Sequence, residues 1–103
     1  MFYPIAQLTE LHEGFRREVE IRGEHLLLIH HKDNTYLIES LCPHAAYSMA
    51  QGKLMGNNLR CPVHGYLFDV TTGQCTLSLE GPCRNLKTYP LVEQNGQVGT
   101  EMS

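Results

Sequence analysis

The sequence has no long hydrophobic run and no concentration of positive charge. Its longest uninterrupted aliphatic stretch is Leu26-Leu27-Leu28-Ile29, far shorter than the roughly 20 residues that a membrane-spanning helix needs. No basic stretch is longer than Arg16-Arg17, and the formal net charge is −3 at pH 7. These absences argue against a membrane anchor and a signal peptide. They also disfavour a surface that binds nucleic acid.

Signatures of common catalytic sites are missing as well. The sequence shows no Ser-His-Asp order, no glycine-rich loop for a phosphate and no paired-carboxylate signature. It also shows no internal repeat, low-complexity segment or linker. We therefore expect a single domain spanning residues 1–103, with no site of its own for transforming a substrate.

Two short clusters of metal-ligand residues stand out instead. They are Cys42-Pro43-His44 and, after sixteen intervening residues, Cys61-Pro62-Val63-His64. Each cluster supplies one thiolate and one imidazole, which can face a common centre only where the backbone is looped. The prolines favour loops because they fix φ and donate no hydrogen bond to a strand ladder. Gly65 adds a position that tolerates unusual backbone angles.

The order of the ligands bears on which metal they hold. Zinc fingers usually pair Cys with Cys and His with His, whereas each cluster here mixes the two types. One iron bound by both thiolates and another by both imidazoles, with bridging sulfides, would form a Cys₂His₂ [2Fe–2S] site. The residues alone leave two alternatives open. One is a zinc site of unusual order, and the other is no metal at all, with Cys42 and Cys61 joined in a disulfide.

The pattern C-x-H-x₁₆-C-x-x-H resembles the signature of the Rieske [2Fe–2S] family. Residues 65–73 also resemble the strand and turn that follow the signature in Rieske ferredoxins, and the similarity extends from about Phe15 to Val98. The resemblance implies one [2Fe–2S] cluster per chain. It further implies that Gly81-Pro82 belongs to a third loop that packs over the cluster.

The same resemblance implies a role for each ligand. Cys42 and Cys61 would hold a buried iron that stays ferric. His44 and His64 would hold the outer iron, which receives the electron and faces the partner.

The resemblance also implies a function and partners. Because Rieske oxygenase large subunits add a catalytic domain with mononuclear iron and this chain has none, we expect a one-electron carrier. Such a ferredoxin accepts an electron from a flavin-containing reductase and passes it to a terminal oxygenase, often one that hydroxylates aromatic rings. Two other functions stay open: the small subunit of an assimilatory nitrite reductase, and a zinc-stabilised protein-interaction module. Thiolate ligands and further cysteines fit a reducing compartment, so we expect a cytoplasmic protein.

Two departures from the Rieske subunits of respiratory and photosynthetic complexes are informative. Those subunits join their ligand loops by a disulfide, but the corresponding positions here are Tyr47 and Val63. They also place serine and tyrosine hydroxyls near the cluster sulfurs, where this chain has Tyr66 and Phe68. Hydrogen bonds to sulfur raise the reduction potential, and phenylalanine offers none, so we expect a potential toward the low end of the Rieske range unless the Tyr66 hydroxyl reaches a sulfur.

Strand-like alternation and turn signals predict an all-β fold, an antiparallel β-sandwich or barrel with a small two-loop cluster-binding subdomain at about residues 41–83. Asn95-Gly96 is the strongest hairpin signal. Ile5–Val19 also fits helical spacing, although the alternation favours a strand from Phe15 onward. The predicted strands cover residues 16–21, 24–31, 36–39, 59–60, 66–70, 86–93 and 97–101.

The remaining histidines and cysteines fall outside the ligand pattern. His30 and His31 are adjacent in a predicted strand and should face opposite sides, which argues against a shared metal. His12 and His25 are isolated. We expect Cys75 and Cys83 to be semi-buried thiols.

Overall fold

The computed structural model describes residues 1–43, 46–63, 65–79 and 81–102. These residues form ten strands and one turn of 3-10 helix at Leu8–Glu10. No helix in the described ranges is long and apolar enough to cross a membrane. The strands are β1 Phe2–Gln7, β2 Arg16–Ile21, β3 Glu24–His31, β4 Asn34–Glu39, β5 Lys53–Met55, β6 Asn58–Arg60, β7 Leu67–Asp69, β8 Cys75–Leu77, β9 Val92–Gln94 and β10 Gln97–Glu101.

The described strands form three antiparallel sheets, in the orders β1-β10-β9, β2-β3-β4 and β5-β6-β7-β8. Three hairpins turn through two residues that both have positive φ: Arg22-Gly23, Lys32-Asp33 and Asn95-Gly96. This backbone matches the twist of the flanking strands, and it explains why glycine or a polar residue occupies each position.

Strand β3 is the centre of the fold because both of its faces are buried. Leu26 and Leu28 pack against β1 and β10 through Ile5 and Val98. Leu27 and Ile29 point the other way, into a second core formed with the sheet of β5 to β8. The four consecutive aliphatic residues are therefore a strand between two layers. The second core also contains Cys42 and Cys61.

The predicted all-β class is confirmed, and β2 and β3 match their predicted bounds. The Asn95-Gly96 hairpin is confirmed too. The helical spacing of Ile5–Val19 was misleading, since the helical part of this segment is Leu8–Glu10. A bulge between Pro4 and Ala6 breaks the strand alternation and buries two consecutive residues, Ile5 and Ala6.

The prediction of one continuous strand over residues 86–93 is wrong. This segment changes partners along its length: Leu86 donates its N–H to Gly73, and Tyr89 donates to Leu37. It becomes a regular strand only at Val92, after Pro90, which has no N–H to donate. Strands β1, β5 and β8 were not predicted.

Candidate metal centre

Two loops with the same hydrogen-bonding pattern carry Cys42 and Cys61. The N–H of Cys42 donates to the carbonyl of Tyr47 at 2.7 Å, and the N–H of Cys61 donates to that of Tyr66 at 2.8 Å. In each loop the residue four positions after the cysteine donates back to the cysteine carbonyl, at 2.7 Å from Ala46 and 3.0 Å from Gly65. The described residues of the two loops, Cys42 with residues 46–47 and Cys61 with residues 65–66, therefore share one hydrogen-bonding pattern.

Strand pairing closes the base of each loop at equivalent positions. Leu41 and Ser48 form an isolated antiparallel bridge around the first loop. Arg60 and Leu67 pair around the second, which is the tip of the β6–β7 hairpin. The sequence prediction that the loops are tips of hairpin-like excursions agrees with this geometry.

The two cysteine side chains converge in one buried environment. Cys42 is 1% exposed and Cys61 is fully buried. Both belong to the core that contains Leu27, Ile38 and Phe68. The four cysteines, all within the described ranges, form no disulfide, so a Cys42–Cys61 bridge is not present.

The two histidines of the predicted ligand set, His44 and His64, lie outside the described residues. Within the described ranges, no group of three or more His, Cys, Asp or Glu side chains is placed to hold a metal ion. The described part of the predicted site is therefore its pair of thiols.

Side chains of β2 attach the first loop to the central sheet. The Arg16 guanidinium donates to the carbonyls of Ala50 and Gly52 at 2.8 and 2.6 Å. Ser48 donates its hydroxyl to the carboxylate of Glu18 at 2.8 Å. Burial lowers the pKa of Arg16 from its ordinary value. The sequence did not predict these contacts, since nothing local to β2 indicates that residues some thirty positions away are its partners.

A second attachment joins the end of β4 to the segment after Gly81-Pro82. Arg84 donates two hydrogen bonds to the Glu39 carboxylate, at 2.8 and 2.6 Å. The backbone N–H of Lys87 also donates to this carboxylate, at 3.0 Å. Burial by itself would raise the pKa of Glu39, but the bonds from Arg84 and Lys87 outweigh it and hold that pKa below its ordinary value. Glu39 lies three residues before Cys42, so this contact fixes the entry to the first loop.

Cys75 and Cys83 lie beside the second loop. Both are half-buried and pack against the core that contains Cys61. Burial raises the pKa of the Cys83 thiol, and the neighbouring Cys75 and Cys61 raise it further. The prediction that Cys75 and Cys83 are semi-buried thiols is confirmed.

Apolar side chains are exposed around the loops. Tyr47 in the first loop is 55% exposed, and Val63 in the second is 46% exposed. Leu79, 57% exposed, lies beside Gly65. In contrast, Tyr66 and Phe68 are fully buried.

The other histidines do not join this site. The Nδ1 atom of His30 lies 2.9 Å from the Thr35 hydroxyl. His31 contacts Glu13 and the carbonyl of Gly56. The two neighbours therefore have separate surroundings, as their positions in a strand predicted.

Comparisons with known proteins agree with this arrangement. The family model for the Rieske [2Fe-2S] domain matches residues 1–90. The ferredoxin component of the naphthalene 1,2-dioxygenase system of Pseudomonas putida is 34% identical over 97 residues, which are 93% of this chain and 90% of the relative.

Solved structures have the same fold. One, a complex of reduced oxygenase and oxidised ferredoxin in carbazole 1,9a-dioxygenase, matches with a TM-score of 0.84 and 28% identity, covering 96% of this chain and 91% of that chain. Another, provisionally described as the small subunit of an NADPH nitrite reductase, matches with a TM-score of 0.76 and 26% identity, covering 99% of both chains.

An all-β fold in which two equivalent loops bring buried cysteines into one core defines a small metal-cluster protein. This chain belongs to the Rieske [2Fe–2S] domain family, and its cofactor is a [2Fe–2S] cluster. The described residues fit that cofactor, because two thiols converge in a water-poor core without forming a disulfide. Burial also lowers the dielectric constant around the thiols, which is one of the factors that set the reduction potential of an iron–sulfur cluster.

Proposed function

We propose that this protein is a one-electron carrier, a Rieske-type ferredoxin that accepts an electron from a flavin-containing reductase. It passes the electron to a terminal oxygenase that hydroxylates aromatic rings. The observation that carries this proposal is the pair of equivalent loops that place Cys42 and Cys61 in one core. The similarity to a dioxygenase ferredoxin over nearly the full length of both chains supports the electron-carrier function.

The proposed ligands are Cys42, His44, Cys61 and His64. The cysteines start the two loops, and the histidines follow at the second and third positions after them. The bound cluster supplies reversible one-electron transfer, with the histidine-bound iron as the site of reduction. The proposal assigns residues 41–83 to cluster binding within a single domain of 103 residues.

The protein's own residues provide the surface through which a partner approaches. Exposed Tyr47, Val63 and Leu79 lie on and beside the two loops, so a partner could exclude water there by covering apolar surface. The net charge of −3 becomes one unit more negative on reduction. Such a carrier suits basic docking surfaces and an association that weakens with salt. We place this activity in the cytoplasm, where ligand thiols stay reduced.

A second candidate is the small subunit of an assimilatory nitrite reductase, because a structure described in that way shares the fold over 99% of both chains. The TM-score is higher for the structure with the carbazole dioxygenase ferredoxin, 0.84 against 0.76, and this favours the first candidate. The decisive measurement is electron transfer in vitro. The reduced protein should be reoxidised by a ring-hydroxylating oxygenase in the presence of its substrate. Reoxidation only by a nitrite reductase would favour the second candidate.

Metal analysis separates both candidates from a zinc-stabilised interaction module. The isolated protein should contain two irons and two acid-labile sulfides per chain, as the family cluster requires. Electron paramagnetic resonance of the dithionite-reduced protein should show the anisotropic signal of mixed nitrogen and sulfur ligation. One zinc and no sulfide would overturn the proposal.

Substitution of the histidines tests the ligand assignment separately. We expect His44→Cys and His64→Cys to retain iron poorly or to lower the reduction potential sharply, because thiolates make the outer iron more electron-rich. His25→Cys is a suitable control, since His25 is exposed and lies in β3. Wild-type redox behaviour in either ligand variant would contradict the assignment.

A further inference from the structure

Cys75 and Cys83 are neighbouring thiols, packed against the same core, that the proposed electron-transfer function does not use. Cys75 begins β8, and Cys83 lies in the segment that follows Gly81-Pro82. The Cys75 thiol donates to the Leu77 carbonyl at 3.7 Å and the Cys83 thiol to the Arg84 carbonyl at 3.4 Å, and Cys75 is near enough to Cys83 to raise the pKa of its thiol. Both are half-buried, so they are neither sealed in the core nor free in solvent.

Two hydrogen bonds donated by backbone N–H groups hold the segments of these cysteines against each other. The N–H of Cys75 donates to the side-chain oxygen of Asn85 at 3.0 Å, and the N–H of Leu86 donates to the carbonyl of Gly73 at 2.7 Å. The backbones approach so closely that a Cβ atom on Gly73 would collide with the Leu86 carbonyl. The fold therefore holds the segment that contains Cys83 against the segment that begins with Cys75.

We propose that Cys75 and Cys83 are a reversible dithiol–disulfide pair, a modification site distinct from the cluster ligands. Its chemical partner is a small-molecule disulfide such as oxidised glutathione. The thiolate of one cysteine attacks a sulfur of oxidised glutathione, which forms a mixed disulfide and releases one glutathione thiolate. The second cysteine, as its thiolate, attacks the protein sulfur of that mixed disulfide and releases the second glutathione.

The overall exchange is balanced in atoms and electrons. The two cysteine thiols lose two electrons and two protons in total, and one oxidised glutathione becomes two reduced glutathiones. The new bond closes a short loop from residue 75 to residue 83, which contains Gly81-Pro82. It would join the segment of Cys83 covalently to β8, next to the second ligand loop.

Peptide mapping of the cluster-loaded protein tests this proposal. The protein is incubated anaerobically with oxidised glutathione, the molecules that retain their cluster signal are separated from those that have lost it, and each fraction is alkylated, digested and analysed. We expect a Cys75–Cys83 linkage with the loss of two hydrogen atoms from the mass, and its complete reversal by dithiothreitol. Hydrogen exchange at the Leu86 amide should slow in the oxidised form.

Single-cysteine variants provide the matched controls. Cys75→Ser and Cys83→Ser should each trap a stable glutathione adduct on the remaining cysteine, because the second exchange step is then impossible. Wild-type protein that stops at such an adduct, or that fails to react while its cluster persists, would overturn the proposal. So would a disulfide found only in molecules without a cluster. Neither result affects the electron-carrier function, because the pair lies outside the proposed ligand set.

Discussion

Ala46 and Gly65 occupy the same position in the two ligand loops and have the same left-handed backbone, with φ of 58° and 75°. Each donates its N–H to the carbonyl of the cysteine four residues earlier. The hydrogen-bonded turn that positions each cysteine therefore depends on a residue with positive φ. Glycine adopts that conformation freely, whereas alanine does so at a cost of about 1–2 kcal/mol.

We predict opposite effects from exchanging these two residues. Ala46→Gly should leave stability unchanged or raise it by about 0.5 kcal/mol, because relief of strain exceeds the added chain entropy of the unfolded state. Gly65→Ala should lower it by about 1–2 kcal/mol, since its Cβ also meets the Arg60 guanidinium at 3.2 Å. Urea unfolding of the cluster-loaded protein measures both.

Gly23→Ala is the matched control for this pair. Gly23 has φ of 81° in the β2–β3 turn, with no neighbouring atom within 4 Å of a Cβ. Gly23→Ala should lower stability through the same backbone strain. Unlike Gly65→Ala, it should not speed the release of iron to a chelator in native buffer, because Gly23 lies outside the ligand loops. Faster iron release from Ala46→Gly than from the wild type would refute the proposed role of the left-handed position.

Local signals in the sequence predicted the parts of this structure that depend on local chemistry. The β2–β3 hairpin and the Asn95-Gly96 turn follow from alternation and turn residues. The spacing of Cys42 and Cys61 with their prolines predicted two loops that converge, and burial of both thiols in one core agrees with it.

Long-range contacts were not predictable in this way. Arg16 binds carbonyls 34 and 36 residues away, and Arg84 binds Glu39 across 45 residues. Adjacent arginines in a strand face opposite sides of the sheet, but the sequence does not show what either of them contacts. Only the folded arrangement of the sheets shows that the Arg16 side chain is directed at the ligand loop and that of Arg17 at Glu10.

Loss of the Arg16 side chain should loosen the first ligand loop. Arg16→Met keeps the apolar stem but removes two hydrogen bonds to the carbonyls of Ala50 and Gly52. Hydrogen bonds to charged groups contribute about 1.5–3 kcal/mol, so we expect a loss of about 2–3 kcal/mol and faster release of iron. Arg17→Met removes a neighbouring arginine that pairs with half-exposed Glu10, and it should release iron at the wild-type rate. Equal rates for the two variants would contradict the predicted role of Arg16.

The Glu39–Arg84 contact should make stability depend on pH. The pKa of Glu39 is lowered from 4.5 in the folded protein, so folding favours the ionised carboxylate. This stabilisation is complete above the unfolded-state pKa and is lost as pH falls through the folded value. Glu39→Gln should cost about 1.5 kcal/mol near pH 7, at the low end for bonds to a charged group because Arg84 is half-exposed. The difference from wild type should shrink toward about pH 3.

Glu10→Gln provides the comparison for this pH effect. The pKa of Glu10 is also lowered, mainly by its hydrogen bond to Arg17, but the Glu10 side chain is 36% exposed to solvent, whereas that of Glu39 is 15% exposed. Its substitution should have a smaller effect at every pH, because exposed ion pairs are screened. A Glu39→Gln difference that stays constant from neutral to acidic pH would show that the carboxylate charge is not the source of the stabilisation.

The reduction potential should lie toward the low end of the Rieske range of about −150 to +300 mV. Phe68 is fully buried in the core with Cys42 and Cys61, and its ring has no hydrogen-bond donor to offer a sulfur.

Phe68→Tyr would add a hydroxyl in this core, and a hydrogen bond worth about 1.4 kcal/mol to the reduced form would raise a one-electron potential by roughly 60 mV. Phe15→Tyr adds the same group to the opposite core and should leave the potential unchanged. Protein-film voltammetry measures all three proteins. A wild-type midpoint well above about +100 mV would refute the argument, because a potential that high in the range indicates donors to the sulfurs.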